Sequence, residues 1–268
     1  MKDSQIKIKN LTVSFERKKI TAVQDLNLNV QEGEFLTLVG TTGCGKSTIL
    51  NTIAGFVKPN KGNVLINDNQ IFRPIPNIGV VFQQHALFPW MTVLSNVTFG
   101  PLSIGKTKSD ALKIAEKLIE QVGLKGFEQA YPNELSGGMQ QRVGLARTLA
   151  NNPDILLMDE PFGSLDAQTR SIMQELLLAI WRGTKKTVIF VTHDVEEAVF
   201  LADRVIVLTA RPARIKKEVI VNLPRPRKFD MVTSTNFMKT KKEVLTAIRE
   251  ETLLALNHSN DHISHKRS

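Results

Sequence analysis

Nine consecutive residues, Gly40-Thr41-Thr42-Gly43-Cys44-Gly45-Lys46-Ser47-Thr48, combine three glycines with a lysine and four hydroxyls in the pattern G-x-x-x-x-G-K-[ST]. Glycines let the backbone curl so that successive N–H groups face one point, and a lysine adds a mobile positive charge. A hydroxyl after the lysine can ligate Mg²⁺ that accompanies a nucleotide. The chemistry implied is a cradle for a nucleoside triphosphate. A second group of reactive types is Asp159-Glu160, two adjacent acids after the apolar run Ile155-Leu156-Leu157-Met158. Asp159 suits Mg²⁺, a hard cation that prefers oxygen, and Glu160 is placed to polarise a water attacking the γ-phosphate. A third is Leu135-Ser136-Gly137-Gly138, where Ser136 reads as a helix N-cap and two glycines leave the backbone open to an anion.

The elements that must position these groups follow from periodicity. Glu34 to Val39 reads as a buried strand feeding the glycine loop, and Ile49, Leu50 and Ile53 give the following segment helical spacing. Ligands gather beyond the carboxyl ends of parallel strands, so the strand ending at Met158 would aim both acids toward the phosphates. Ile6, Ile8, Leu11, Val13 and Phe15 alternate with polar residues, with a change of face near Lys9-Asn10; Arg17 to Lys19 reads as a hairpin turn. Leu26, Leu28 and Val30 alternate again. Residues 64–66, 78–82, 187–192, 204–208 and 214–223 read as further strands, the last at an edge. Residues 84–150 carry only helical patterns. Leu112, Ala115, Leu118, Ile119 and Val122 share one face, and Ser109 or Asp110 is expected to cap that helix. Strands alternating with helices imply an α/β protein with a largely parallel sheet, antiparallel strands at its N-terminus and a helical insertion.

Composition excludes several classes. No apolar run approaches the roughly 18 residues that span a bilayer, and the polar N-terminus lacks the form of a secretory signal. Cys44 is the one cysteine among 268 residues, which leaves no internal disulfide and suits a reducing cytoplasm. The net charge is +9. From residue 211 onward thirteen lysines and arginines face six acids, yet Phe229 and Phe237 stand alone rather than interleaving them as stacking platforms, so a solvated basic terminus over residues 224–268 is expected rather than a nucleic-acid site. Thr107-Lys108-Ser109-Asp110 mimics a guanine-recognition box but has no strand before it. ATP is therefore the expected nucleotide.

The order and spacing of these motifs resemble those of the ATPase subunit of ATP-binding-cassette (ABC) transporters. Leu135-Ser136-Gly137-Gly138 matches the family signature, with Met139 where many members have glutamine. Val81-Phe82-Gln83, Ser164-Leu165-Asp166 and Thr192-His193-Asp194 match its Q-loop, D-loop and switch. The resemblance covers residues 6–223. It implies a P-loop NTPase core over residues 1–223 with a helical subdomain at about 84–150. It further implies Gln83 as a sensor of Mg²⁺ and of the membrane partner, and His193 as a contact to the γ-phosphate. Ser136, Gly137 and Gly138 would bind ATP held by a second copy of the chain. Phe15 is either a member of its strand's packed face or, by the resemblance, the aromatic that stacks on adenine. Residues 85–97, with Phe88, Trp90, Met91 and Leu94, would pack inside the insertion, receive a coupling helix from the permease, or both.

Three stretches are similar to the branch that imports nitrate, sulfonates, taurine and bicarbonate: residues 87–97, residues 139–147, and Val207 to Ile215 with Leu223-Pro224-Arg225-Pro226-Arg227. That branch implies permease subunits as partners, an extracytoplasmic solute-binding protein acting indirectly, and a peripheral place on the cytoplasmic face of the membrane. The alternatives are a cassette serving another solute or an exporter, or a soluble cassette ATPase acting on nucleic acid. The last usually carries a long coiled-coil insertion or a second cassette, and neither is present here.

Overall fold

The computed structural model describes residues 4–15, 20–83 and 86–264. The chain divides into two compact units, Met1–Pro74 with Thr187–Ser268, and Ile75–Lys186.

In the first unit, β1 (Ser4–Phe15) and β2 (Ile20–Gln31) pair antiparallel, and β4 (Lys61–Ile66) and β5 (Asn69–Gln70) extend that sheet. The expected change of face in β1 is present: the register with β2 shifts between Ile8 and Leu11, around Asn10 at φ +47°. This keeps Ile8 and Leu11 both buried. Arg17 to Lys19 lie outside the described residues. β5 was not anticipated; Asn67 and Asp68, at φ +48° and +63°, form the tight turn that creates it.

β3 (Phe35–Val39) lies between β8 (Thr187–Val191) and β9 (Arg204–Leu208), parallel to both, and β10 (Ile215–Ile220) pairs antiparallel with β9. Every residue of β3 and β8 is buried, which a continuous apolar run in a covered parallel sheet requires. Phe35 and Phe190 meet at 6.0 Å between ring centroids. Helices α1 (Lys46–Ile53) and α6 (Val195–Leu201) follow β3 and β8.

The solvated terminus expected beyond residue 223 is corrected by the structure. Residues Thr235–Ser264 form α7, and Phe237, Val244 and Ala247 are buried along one of its faces. Those positions, seven and then three apart, make a stripe that packs on the unit. Its lysines meet acids of the body or the reverse: Lys241 to Glu196 at 2.5 Å, Lys217 to Glu243 at 3.0 Å, and Lys216 to Glu250 and Glu251 at 2.9 Å. Ahead of the helix, Arg225 pairs with Asp203 at 2.6 Å, and buried Arg227 donates to the carbonyls of Val199 and Phe200.

In the second unit, β6 (Ile78–Val81) and β7 (Ile155–Asp159) are parallel neighbours. Between them come α2 (Val93–Ser103), α3 (Lys108–Gln121) and α4 (Gly137–Ala150), with no strand among the described residues, as the helical periodicity implies. Val93, Val97, Ala115, Ile119, Val143 and Ala146 form their shared core. α5 (Ala167–Thr184) follows β7. The cap of α3 differs from expectation. Neither Ser109 nor Asp110 is the N-cap; Thr107 is, accepting from the Asp110 N–H at 3.1 Å while its own hydroxyl donates to the Asp110 carboxylate at 2.7 Å. A hydroxyl three residues ahead of an acid satisfies the first turn better than a cap within it.

Candidate nucleotide site

The phosphate loop is built from its backbone outward. β3 delivers the chain to Gly40, and Gly43 and Gly45 take φ +76° and +130°, conformations that side chains rarely adopt. Space forbids a side chain at Gly45 as well: a Cβ there would stand 2.6 Å from the Ala22 carbonyl oxygen. Gly45 is the N-cap of α1 and brings no side chain to accept from its first turn, where no acid stands either. That end of the helix therefore carries the positive pole of its dipole, with no acid in its own first turn. Lys46, 4% exposed, curls over the loop, its Nζ donating to the carbonyls of Gly40 at 2.9 Å and Thr41 at 3.1 Å. Cys44 is buried beneath, its N–H donating to Thr41 at 3.2 Å, and burial raises its thiol pKa above the ordinary value. Thr42, Gly43 and Ser47 face solvent, and Thr48 is half-buried.

Also in this unit, buried Thr192 directly follows β8, and its hydroxyl accepts from the Asp194 N–H at 3.0 Å. The Asp194 carboxylate in turn accepts from Glu196 and Glu197 at the start of α6. Held between these two anchors, His193 is exposed. Phe15 ends β1 at 40% exposure, so its ring is a partly open surface rather than a core member.

In the second unit, Asp159 is the last residue of β7 and Glu160 follows at φ +44°. A left-handed glutamate is strained, and such strain collects at functional sites. The turn closes with Gly163 N–H to Glu160 O at 3.1 Å. Asp166 of the D-loop match caps α5 through Thr169 N at 2.9 Å. Ser136 caps α4 as its position implies, accepting from Met139 N at 3.3 Å. The two glycines after it differ. A Cβ on Gly138 would press within 3.0 Å of the Thr169 methyl, whereas one on Gly137 would meet nothing within 4 Å, so Gly137 leaves open space at the helix N-terminus. Gln83 is exposed just past β6.

The aromatic segment after Gln83 divides; its first residue, His85, lies outside the described residues. Buried Asn96 accepts from Phe88 N and donates to the carbonyls of Phe88, Met91 and Thr92, pinning the turn 88–92. Phe88 packs on Phe99 at 4.7 Å, with the Arg147 guanidinium 5.4 Å from its ring centre. Trp90, held at 5.7 Å from Phe88, stands 69% exposed.

Two residues that touch this machinery were not singled out from sequence. Arg211 donates from Nε and Nη2 to the Gly43 carbonyl at 3.0 and 2.6 Å. Asn96 was visible only as a polar residue inside an apolar stretch.

A family model described as ABC transporter matches residues 23–163, more than half of the chain. The chain belongs to the ABC transporter family. Among relatives of this ABC chain, an uncharacterized ABC transporter ATP-binding protein of Methanocaldococcus jannaschii is 53% identical over 254 residues, 94% of each chain. A taurine import ATP-binding protein of Roseobacter denitrificans is 50% identical over 216 residues, 80% of this chain and 81% of that one. An aliphatic sulfonates import ATP-binding protein of Bacillus cereus is 43% identical over 232 residues, covering 87% and 90%. A solved dimeric ATP-binding cassette in a post-hydrolysis state, bound to ADP and Pi, superposes with TM-score 0.72 at 34% identity, over 82% of this chain and all of that one. The α/β architecture, with antiparallel N-terminal strands and parallel strands, is that of the ABC ATPases.

Proposed function

We propose that this ABC ATPase powers an importer of a small anion or related solute of the taurine, sulfonate, nitrate or bicarbonate kind. It would work through permease subunits, with an extracytoplasmic binding protein delivering the solute. The relatives named for taurine and aliphatic sulfonate import support that substrate class. No helix among the described residues is long and apolar enough to cross a membrane. By its resemblance to importer ATPases, the chain would sit peripherally, at the cytoplasmic face.

The observation that carries the reading is the phosphate loop: an uncapped helix N-terminus behind two left-handed glycines, with a buried lysine held on loop carbonyls. ATP phosphates would take over Lys46 from Gly40 and Thr41, exchanging two neutral acceptors for charged ones, which bind about twice as strongly. Backbone N–H groups of residues 43–48 would complete the cradle. The Ser47 hydroxyl, the Asp159 carboxylate and the Gln83 amide are hard oxygen donors of the kind Mg²⁺ takes together with phosphate oxygens, and the ion would neutralise charge on the β- and γ-phosphates. Glu160 would orient and polarise the attacking water, and His193 would contact the γ-phosphate. Phe15, open at its strand end, would stack on adenine. Ser136, Gly137 and Gly138 at the open start of α4 would contact ATP held by a second copy, in a two-fold arrangement.

Lys46→Ala tests this directly. A fluorescent ATP analogue titrated against the variant should bind at least about tenfold more weakly, roughly 1.4 kcal/mol. Equal affinity would remove the assignment of the loop.

A further inference from the structure

Residues 209–214 join β9 to β10 in a loop closed on itself. Thr209 N donates to Arg214 O at 2.9 Å, Arg214 N to the Thr209 hydroxyl at 2.9 Å, and that hydroxyl to Pro212 O at 2.9 Å. One side is stitched to β2: Ala213 N to Ala22 O at 2.8 Å, Gln24 N to Ala213 O at 3.1 Å, and Arg214 Nη2 to Gln24 Oε1 at 2.7 Å. The other side is held by α7. There the buried Glu251 carboxylate accepts from Ala210 N at 3.0 Å with one oxygen and from Lys216 at 2.9 Å with the other.

This fixed loop touches the phosphate loop twice. Ala213 packs where a Cβ on Gly45 would stand, 3.0 Å away, and Arg211 forks onto the Gly43 carbonyl at 3.0 and 2.6 Å. The peptide following Gly43 is planar and trans, so a carbonyl turned toward Arg211 sends the Cys44 N–H the opposite way, back into the loop, where it donates to the Thr41 carbonyl at 3.2 Å. A Gly43 carbonyl turned into the cradle would instead meet phosphate oxygens acceptor to acceptor.

We propose that Arg211 is a positioning residue for ATP binding, holding the Gly43 peptide so that the cradle keeps its acceptor outward, and that Glu251 of the C-terminal helix sets Arg211 in place through Ala210. The proposal rests on the reading of residues 40–48 as the ATP cradle. It makes the last helix part of the nucleotide site's support.

The test measures ATPase kinetics and thermal stability of the full chain carrying Arg211→Ala, Arg211→Lys, Glu251→Ala, Glu251→Gln and the double alanine variant. Arg211→Ala should raise KM for ATP about tenfold, on the scale of losing a charge-assisted hydrogen bond, with kcat within about twofold and Tm little changed. Arg211→Lys, with one donor group in place of a fork, should recover part of the KM. Glu251→Ala should raise KM several-fold, and Glu251→Gln, which keeps an acceptor for Ala210, should stay near wild type. The double variant should match Arg211→Ala alone, because coupled residues do not add. A wild-type KM in Arg211→Ala, or a loss of kcat and Tm together without a change in KM, would overturn the role of Arg211. Full additivity in the double variant would overturn the relay from Glu251. A wild-type chain that fails to bind ATP would instead defeat the cradle reading itself.

Discussion

Replacing Phe237 by alanine probes whether the last helix belongs to the fold. The ring is 0% exposed on α7, on the face that also buries Val244 and Ala247. Truncating a phenylalanine buried to that degree costs about 3–5 kcal/mol, from lost transfer free energy and the cavity left behind. In a chain of this size about 1 kcal/mol moves Tm by roughly 2–3 °C, so Phe237→Ala should melt about 6–15 °C lower. Its neighbour Met238 is 51% exposed on the same helix, and Met238→Ala should cost no more than about 0.5 kcal/mol. Circular dichroism melts of both variants beside wild type read the difference. Two variants melting within about 1 °C of each other would mean that the helix is not packed, and the argument from its buried stripe would fail.

Trp90→Ala removes an exposed ring from a turn that Asn96 holds independently, so urea unfolding should shift by under about 1 kcal/mol while stimulation of the ATPase by reconstituted permease falls. A large stability loss would return Trp90 to a packing role. Thr107→Ala should cost about 0.5–2 kcal/mol in the same assay and Ser109→Ala close to nothing; the reverse order would contradict the cap. Cys44 is buried and its thiol pKa is raised, so less of it is thiolate at pH 8 than of a free thiol. Iodoacetamide should label the folded chain at least about tenfold more slowly than the urea-unfolded chain, followed by mass spectrometry; equal rates would show an open loop.

The phosphate loop was legible because everything it needs is local: a buried strand, glycines at the left-handed positions and a helix with one apolar side. The change of face in β1 was legible for the same reason, since Asn10 tolerates positive φ. The α7 packing was not. Its buried residues Phe237, Val244 and Ala247 are few and lie among lysines, and only contact with Glu196, Lys216 and Lys217 turns those charges into ion pairs. Thr107 carried a readable signal, a hydroxyl three residues before an acid, which competed with Ser109 and Asp110 inside the same turn. Arg211 is marked in the sequence only by a branch resemblance, because its partner Gly43 is 168 residues away and joined to it solely by tertiary structure. The strain at Glu160 was equally invisible, since nothing in Asp159-Glu160-Pro161 announces a positive φ.

In the function proposed for this chain, two copies would close on ATP and Glu160 would drive its hydrolysis. Glu160→Gln keeps the side chain's shape and removes its charge, so ATP should bind but turn over very slowly. With saturating ATP at high protein concentration, size-exclusion chromatography of Glu160→Gln should show a dimer that wild type forms only transiently. A variant that stays monomeric under those conditions and hydrolyses ATP at the wild-type rate would contradict both the base and the two-copy site.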